Sequence, residues 1–489
     1  MRKLEVIIAS VLFAACQNDY TGPARSGRDE LVDVEPVIRH ASVQANPANV
    51  LSATIFASVG FADSVAVRFR LADASGAEET TPTMDWCREL ECGVGFVNFT
   101  LLGLLPASRY VLHVVAWGWG DTRTSEQLEF TTGALPADLP HFTAGGPDPT
   151  PGYVVFGAGE YGLVIDNTGR IVWYHHFPGG AGLAFMAQSN GHYVTQPRTT
   201  DPTNIQPWIE VDPDGNIARS LSCGQNLRPR LHDLIVAPDG GYWILCDESR
   251  PMDLTSDGGV SNARVTGTAI QNVNFCDYVG YYYYYGCTTT LDFSWSPFDH
   301  FQITDVDASE RAGPDVNWTH GNSIDLDTDG NLIVSFRNLN EITKIDRQTG
   351  EVIWRLGGVR NEFTFLDTPV PAFIHQHSVR FLAGGELLLL DNLGDPTQSR
   401  VERYKLDEAG RTARLIGSFN AGPGVVTSLG GSVQPLPGGR TLASFGTAGR
   451  VLEYDAAGNI VWSIDGNAGY IFRAQRINSL YTPGVGTMR

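Results

Sequence analysis

From Tyr153 to Tyr481 the alternation of apolar and polar positions repeats one motif: a strand, an Asp-x-x-Gly turn, and a second strand that often carries tryptophan. Copies read GLVIDNTGRIVWYHH, WIEVDPDGNIARSL, ITKIDRQTGEVIWRLGG, VERYKLDEAGRTARLIG and VLEYDAAGNIVWSIDG. A further copy is split into VTGTAIQNVN and LDFSWS by the insertion FCDYVGYYYYYGCTTT. Period-two alternation bounded by turn residues marks half-buried strands. Six units in roughly 330 residues leave each the length of a four-stranded blade, so the pattern predicts a six-bladed β-propeller over 153–489. A parallel β-helix is the alternative, but its repeats are shorter and lack paired turn signals. Upstream, over 35–133, short apolar runs (SATIFASV, SVAVRFRL, GFVNFTLL, SRYVLHVVAW, EQLEFTTG) separated by turn residues predict a small β-sandwich. A Pro/Gly-rich linker, 134–152, joins the two, and the chain is expected to be all-β.

Three other hairpins lie among these copies: LHDLIVAPDGGYWILCD, NWTHGNSIDLDTDGNLIVSFR and HQHSVRFLAGGELLLLDN. Counting eight residues back from each turn glycine gives His232 from Gly240, Asn322 from Gly330 and His377 from Gly385. Counting seven forward gives Asp247, Arg337 and Asn392. His320 stands two before Asn322, and His375 two before His377, so each pair faces one way along a strand. The first strand of a blade lines the central channel, which predicts His232, His320, Asn322 and His377 facing inward at one rim. A neutral imidazole held at one nitrogen by an acceptor is a competent nucleophile at the other. Arg337 has the planar fork that matches the oxygens of a sulfate or phosphate group; an ion pair with Asp247 or Asp391 is the structural alternative.

Other features have blander readings. His113 sits in an apolar strand and is expected to be packed or hydrogen-bonded. Asp299 and His300, in SPFDHF, are a rim contact or a turn. Tyr281 to Tyr285 either overhang the channel or pack on themselves. No HExxH, GxSxG or Gly-rich phosphate loop is present, so serine hydrolysis has no support, and no quinone or metal site is apparent; no cofactor is expected.

Charge and export signals change the picture in two ways. The 489 residues carry a net charge of -20, which disfavours nucleic acid as a partner and requires a locally positive pocket for any anionic substrate. The start, MRKLEVIIASVLFAAC, reads as an export signal (1–16), and FAAC resembles a bacterial lipobox, implying lipid attachment at Cys16 and a polar tether over 17–34. The expected location is the cell envelope, periplasmic or outer-membrane if the cell has two membranes, with membrane contact only through that anchor. The remaining cysteines suit an oxidising compartment and suggest local pairs: Cys87 with Cys92, Cys223 with Cys246, Cys276 with Cys287.

Two resemblances follow. LLPASRYVLHVVAW is similar to the tyrosine-corner region of fibronectin type III domains. The stretch from Tyr153 to Tyr481 resembles the bacterial arylsulfate sulfotransferase (arylsulfotransferase) family, on NWTHGNSID with SFRNLNEITKID and IWRLGG, HQHSVRF with LLLLDNLGD, WSPFDHF, GGSVQPLPGGRTLASFG and YIFRAQRINSLY. That resemblance implies transfer of a sulfuryl group from an aryl sulfate donor to a phenolic acceptor without a nucleotide donor. It implies His377 as the transiently sulfated nucleophile, with His232, His320, Asn322 and Arg337 around the sulfuryl oxygens; Ser432 lies near a further family contact. Joined to the chemistry above, His320 becomes the acid and base, and the kinetics become ping-pong. The alternative is a non-catalytic surface propeller that binds an anionic aromatic or glycan.

Overall fold

The computed structural model describes residues 35–73, 78–86, 93–199, 206–237, 240–274, 290–368, 371–465 and 468–481. The export segment and tether, Cys87, Cys92, Cys276, Cys287 and Tyr281 to Tyr285 lie outside them.

The fold is all-β, with strands joined by turns and short 3-10 segments. Two sheets come first. Val37–Ala45, Ala53–Gly60 and Val94–Leu101 form one; Ser64–Leu71 and Arg109–Gly118 centre the other. Their inward residues, among them Ile55, Val67, Phe99 and Leu112, share one apolar core. Tyr110 closes a corner of it, its hydroxyl accepting from Leu105 N at 2.8 Å. His113 is hydrogen-bonded as expected, its Nδ1 donating to the Ser125 carbonyl at 3.2 Å.

Among the described residues six sheets follow in series, antiparallel except where Asp315–Asn317 and Thr364–Leu366 pair parallel in the third and fifth. Their innermost strands are Ala474–Ile477, Met186–Ala187, Arg228–Val236, Gly321–Leu326, His377–Leu382 and Ser432–Pro435. Successive inner strands lie against one another around a circle. The last gap in this circle, between the second sheet and the third, is bridged by Val236 N donating to Gln188 Oε1 at 2.9 Å. The circle closes because Tyr153–Ala158, at the start of the ring, pairs with Ala474–Ile477 at its end, Val154 opposite Arg476. Six apolar clusters fill the six gaps, each drawn chiefly from the two sheets it joins, with Leu51, Leu102 and Leu139 added from the preceding segment; Leu245 and Val265 of the third sheet meet Ile324 and Val334 of the fourth.

The repeated motif of the sequence is the outer hairpin of each sheet, and its tryptophan has a second purpose. Trp173 Nε1 donates to the Pro213 carbonyl at 2.8 Å, Trp295 to Gly350 at 3.0 Å, Trp354 to Glu408 Oε2 at 2.9 Å and Trp462 to Asn167 at 2.8 Å. Each acceptor lies in the outer turn of the next sheet, so the indole pins one sheet to its neighbour while its ring fills the gap. The turns themselves are held by the motif aspartate: Asp455 Oδ1 accepts from Ala457 N at 2.9 Å and Asn459 N at 2.8 Å, and Gly458 takes φ 88°.

Cys223 and Cys246 are bonded, as their spacing suggested, tying the end of the second sheet to the second strand of the third. The link closes a loop with a sequence separation of 23. Replacing both by alanine is expected to lower stability by about 3 kcal/mol in guanidinium unfolding, the size that loop-closure entropy gives for such a span.

Candidate active site

Three inner strands deliver candidate residues to one rim, each at an irregularity. Register with the second strand shifts between Pro229 and Leu234, between Gly321 and Ser323, and between His377 and Arg380. These breaks fall at the repeat-equivalent positions of His232, Asn322 and His377, so the strand leaves its ladder where a side chain is re-aimed. The backbone is also left-handed here, with φ of 50° at His320 and 55° at both His375 and Ser378. Such residues cost roughly 1–3 kcal/mol each and concentrate at functional sites.

His377 is 2% exposed. Its Nδ1–H donates to Asn392 Oδ1 at 2.7 Å and to the His375 carbonyl at 3.0 Å. Both partners are acceptors, so the proton is on Nδ1 and Nε2 keeps a bare lone pair. Asn392 cannot turn round, because its Nδ2 donates to the carbonyls of Thr427 at 2.8 Å and Gly430 at 2.9 Å. Gly430 has φ 69°, and a Cβ there would lie 2.2 Å from the Tyr470 hydroxyl, so only glycine brings that carbonyl in.

His232 and His320 lie edge to face with ring centroids 4.9 Å apart, and His232 is 6.4 Å from His377. Phe472 packs on His232 and His377 at 5.6 and 6.1 Å. Asn317 Nδ2 donates to His320 Nδ1 at 2.6 Å, which puts the His320 proton on Nε2; that N–H donates to His232 Nε2 at 3.3 Å. His232 then carries its proton on Nδ1, a buried donor with no protein partner.

Arg337 has its backbone N on the His320 carbonyl at 3.0 Å and its Nη1 on Asn338 Oδ1 at 2.8 Å, while its Nε is buried and unpartnered. The ion pair weighed for it does not form: Asp247 pairs with Arg230, and Asp391 with Arg400 at 2.6 Å. Asn322 is fully buried and gives one amide N–H to the Gln376 carbonyl at 2.7 Å, leaving the other. Ser432 Oγ is taken up by Ala474, accepting from its N at 3.1 Å. Asp299 and His300 form a 3-10 turn, and His300 stacks on Trp295 at 5.0 Å.

Two arginines join the cluster without having been singled out from the sequence. Arg230 is buried, lies two residues before His232 on the same strand, and donates from Nε to the Gly321 carbonyl at 2.8 Å. Strand alternation from His232 was the available signal for it. Arg473, 2% exposed, donates to the His232 carbonyl and pairs with Asp233, both at 3.3 Å, and its Nε is again buried and unpartnered. It precedes the closing strand, whose place beside these hairpins no local spacing reveals.

Burial dominates the electrostatics. It holds His232 and His320 well below the usual imidazole range, with the Arg230 charge adding to it. It pushes His377 down to about 3, against the Asn392 bond and together with Arg337, and His375 down to about 4. Burial also lowers Arg337, and brings Arg473 to about 10. At neutral pH the imidazoles are therefore uncharged and the positive charge is on arginine. A cavity of about 570 Å³ opens from His232, His320, Asn317 and Arg230 toward solvent.

The depressed histidines bind protons only when the chain unfolds, so native stability is full above about pH 6.5 and falls as pH drops toward 3. His377 alone removes about 1–2 kcal/mol between pH 6.5 and 5. Urea unfolding at several pH values should show this slope, and His377→Gln should flatten it by about one proton.

A family model described as Arylsulfotransferase (ASST) matches residues 229–467, which contain His232, His320, Asn322, Arg337 and His377. No curated protein matches the chain. Among solved structures, a protein of unknown function from Bacteroides caccae is 15% identical, with 66% of this chain and 98% of that one covered and a TM-score of 0.40. A streptogramin B lyase is 12% identical over 66% of this chain and 86% of its own, with a TM-score of 0.34. Virginiamycin B lyase from Staphylococcus aureus is 11% identical over 66% and 88%, also at 0.34.

Proposed function

Since residues 229–467 belong to the arylsulfotransferase family, we propose that this protein is an aryl-sulfate sulfotransferase, moving a sulfuryl group from an aryl sulfate to a phenol by two displacements at His377. The observation that carries this reading is the bare Nε2 of a buried neutral imidazole among donors without partners: His232 Nδ1, Arg337 Nε and Arg473 Nε. Buried donors left unpaired by the protein are costly and suit an anion that arrives with its own oxygens.

In the first displacement the Nε2 lone pair forms a bond to sulfur and the S–O(aryl) bond breaks, its electrons going to the phenolic oxygen. Positive charge then grows on the His377 ring, where Asn392 Oδ1 and the His375 carbonyl meet it at Nδ1–H. Arg337, Arg473, Asn322 and His232 hold the three sulfuryl oxygens, since spread charge in such transfers calls for donors on several sides. His320 is neutral in the free protein, so it acts as acid only after the anionic ester has raised its affinity for a proton. In the second displacement His320 takes the phenol proton, the phenolate oxygen attacks sulfur, and the S–N electrons return to His377.

The rest of the chain is read in keeping. The ring is a six-bladed β-propeller over 153–489, 134–152 its linker, and 35–133 a fibronectin type III-like sandwich. Lipid at Cys16 and a tether over 17–34 would hold the enzyme at the cell envelope, membrane contact ending there. Its partners are the aryl sulfate donor and the phenol acceptor, with neither cofactor nor nucleic acid required.

Incubation with 4-nitrophenyl sulfate should add a sulfate-sized mass to the His377 peptide, phenol should accelerate nitrophenolate release, and His377→Ala should abolish both. His320→Ala should slow phenyl sulfate by about 10²–10⁴ but 4-nitrophenyl sulfate far less, because nitrophenolate leaves without an acid. If wild type neither gains mass nor releases phenol from several aryl sulfates, the ring is a binding propeller for an anionic aromatic or glycan.

A further inference from the structure

The cavity beside the histidines is graded in both burial and charge. Its floor is His232 and Arg230, 9% and 6% exposed. Its outer rim holds the exposed Arg198, Arg264 and Asp315, and Pro197, Pro229, Leu231 and Val316 give it apolar walls. At about 570 Å³ it takes a far larger molecule than one sulfated phenyl ring.

The charges leave one arginine over. Arg230 is paired with Asp247, and Arg264 with Asp315 at 2.9 Å. Arg198 has no carboxylate partner among the described residues; its backbone N is bound to the Gly180 carbonyl at 3.0 Å, which fixes where its side chain starts. Among the described residues the lining is thus three arginines against two aspartates, in a chain of net charge -20. An excess of positive charge at the mouth of such a pocket attracts anions and gives a planar fork for a carboxylate.

We propose that this cavity is the aryl subsite, that it selects donors and acceptors carrying a carboxylate on the far side of the ring from the reacting oxygen, and that Arg198 is the residue that reads it. The inference rests on the sulfotransferase reading: the reacting oxygen lies at the buried floor near His320, the ring lies between the prolines and Leu231, and the carboxylate reaches Arg198 at the rim. Bulk solvent at the rim keeps the gain to about three- to tenfold, that of a partly exposed charge-assisted hydrogen bond.

The test uses the full chain with 4-nitrophenyl sulfate as fixed donor and three acceptors: phenol, 3-(4-hydroxyphenyl)propionate and tyramine. Wild type should prefer the propionate over phenol by about three- to tenfold in kcat/KM. Arg198→Gln should remove the preference with the phenol rate unchanged, and Arg198→Glu should turn it toward tyramine. An equal preference in wild type and Arg198→Gln, or none in wild type, overturns the inference while leaving sulfuryl transfer intact. Calorimetric binding of 3-(4-hydroxyphenyl)propionate needs no turnover and separates the two readings. Arg198-dependent binding without sulfuryl transfer upholds this subsite and removes the catalytic reading; binding that ignores Arg198 removes the subsite.

Discussion

The pairing of Tyr153–Ala158 with Ala474–Ile477 is the constraint on which the rest depends. A ring of sheets has no interior until its ends meet. His232, His320 and His377 come from the third, fourth and fifth sheets, whereas Phe472 and Arg473 arrive just ahead of the closing strand. Without closure, His232 and His377 lose the ring packed on both of them, and the buried Asp233 loses one of its cations. The indole bonds from each sheet to the next outer turn serve the same end at the periphery: they fix the angle between sheets so that the last gap is the right width.

Closure makes the rim dry, and dryness sets the protonation states. A carboxylate in place of Asn392 would hold the His377 proton more tightly and favour imidazolium, which has no lone pair to offer. An amide oxygen orients the ring and can still accept charge that develops later. Three inner-strand breaks and the left-handed residues His320, His375 and Ser378 lie at the same rim, while the outer hairpins carry register shifts of their own where strand meets turn.

Much of this was legible in the sequence because repeats carry their own coordinates. Counting from the turn glycines picked out His232, Asn322 and His377 as equivalent, and in the structure all three sit at the same kind of bulge. The forward count found Asn392, which became the partner of His377, and Arg337, whose backbone holds the His320 carbonyl. Simple alternation was less informative. It put His320 and Asn322 on one face, yet the bulge at Gly321 and the left-handed His320 send one to the cavity and the other to the Gln376 carbonyl. Arg473 and Phe472 were invisible to local pattern because only the closing of a ring more than 300 residues long brings them to His232. The tryptophans were seen as a repeat mark, but that their indoles point to the next unit requires the angle between sheets.

Neighbouring residues of one strand divide the channel. His232 lines the cavity of about 570 Å³, and Asp233 lines a second of about 450 Å³ with Asp325 and Arg380. Between them Asp233 is held by Arg380 and Arg473, each at 3.3 Å, and by the Ile324 N–H at 3.2 Å. Arg380 and Arg473 there face two carboxylates, Asp233 and Asp325, and burial pushes the Asp325 carboxyl up against the pull of Arg380. Strand alternation thus puts the side chains of two neighbouring residues in separate cavities. On the proposed reading, a covalent stop at His377 would let one phenol leave before the next arrives, with Arg337 and Arg473 placed to hold the sulfuryl oxygens throughout.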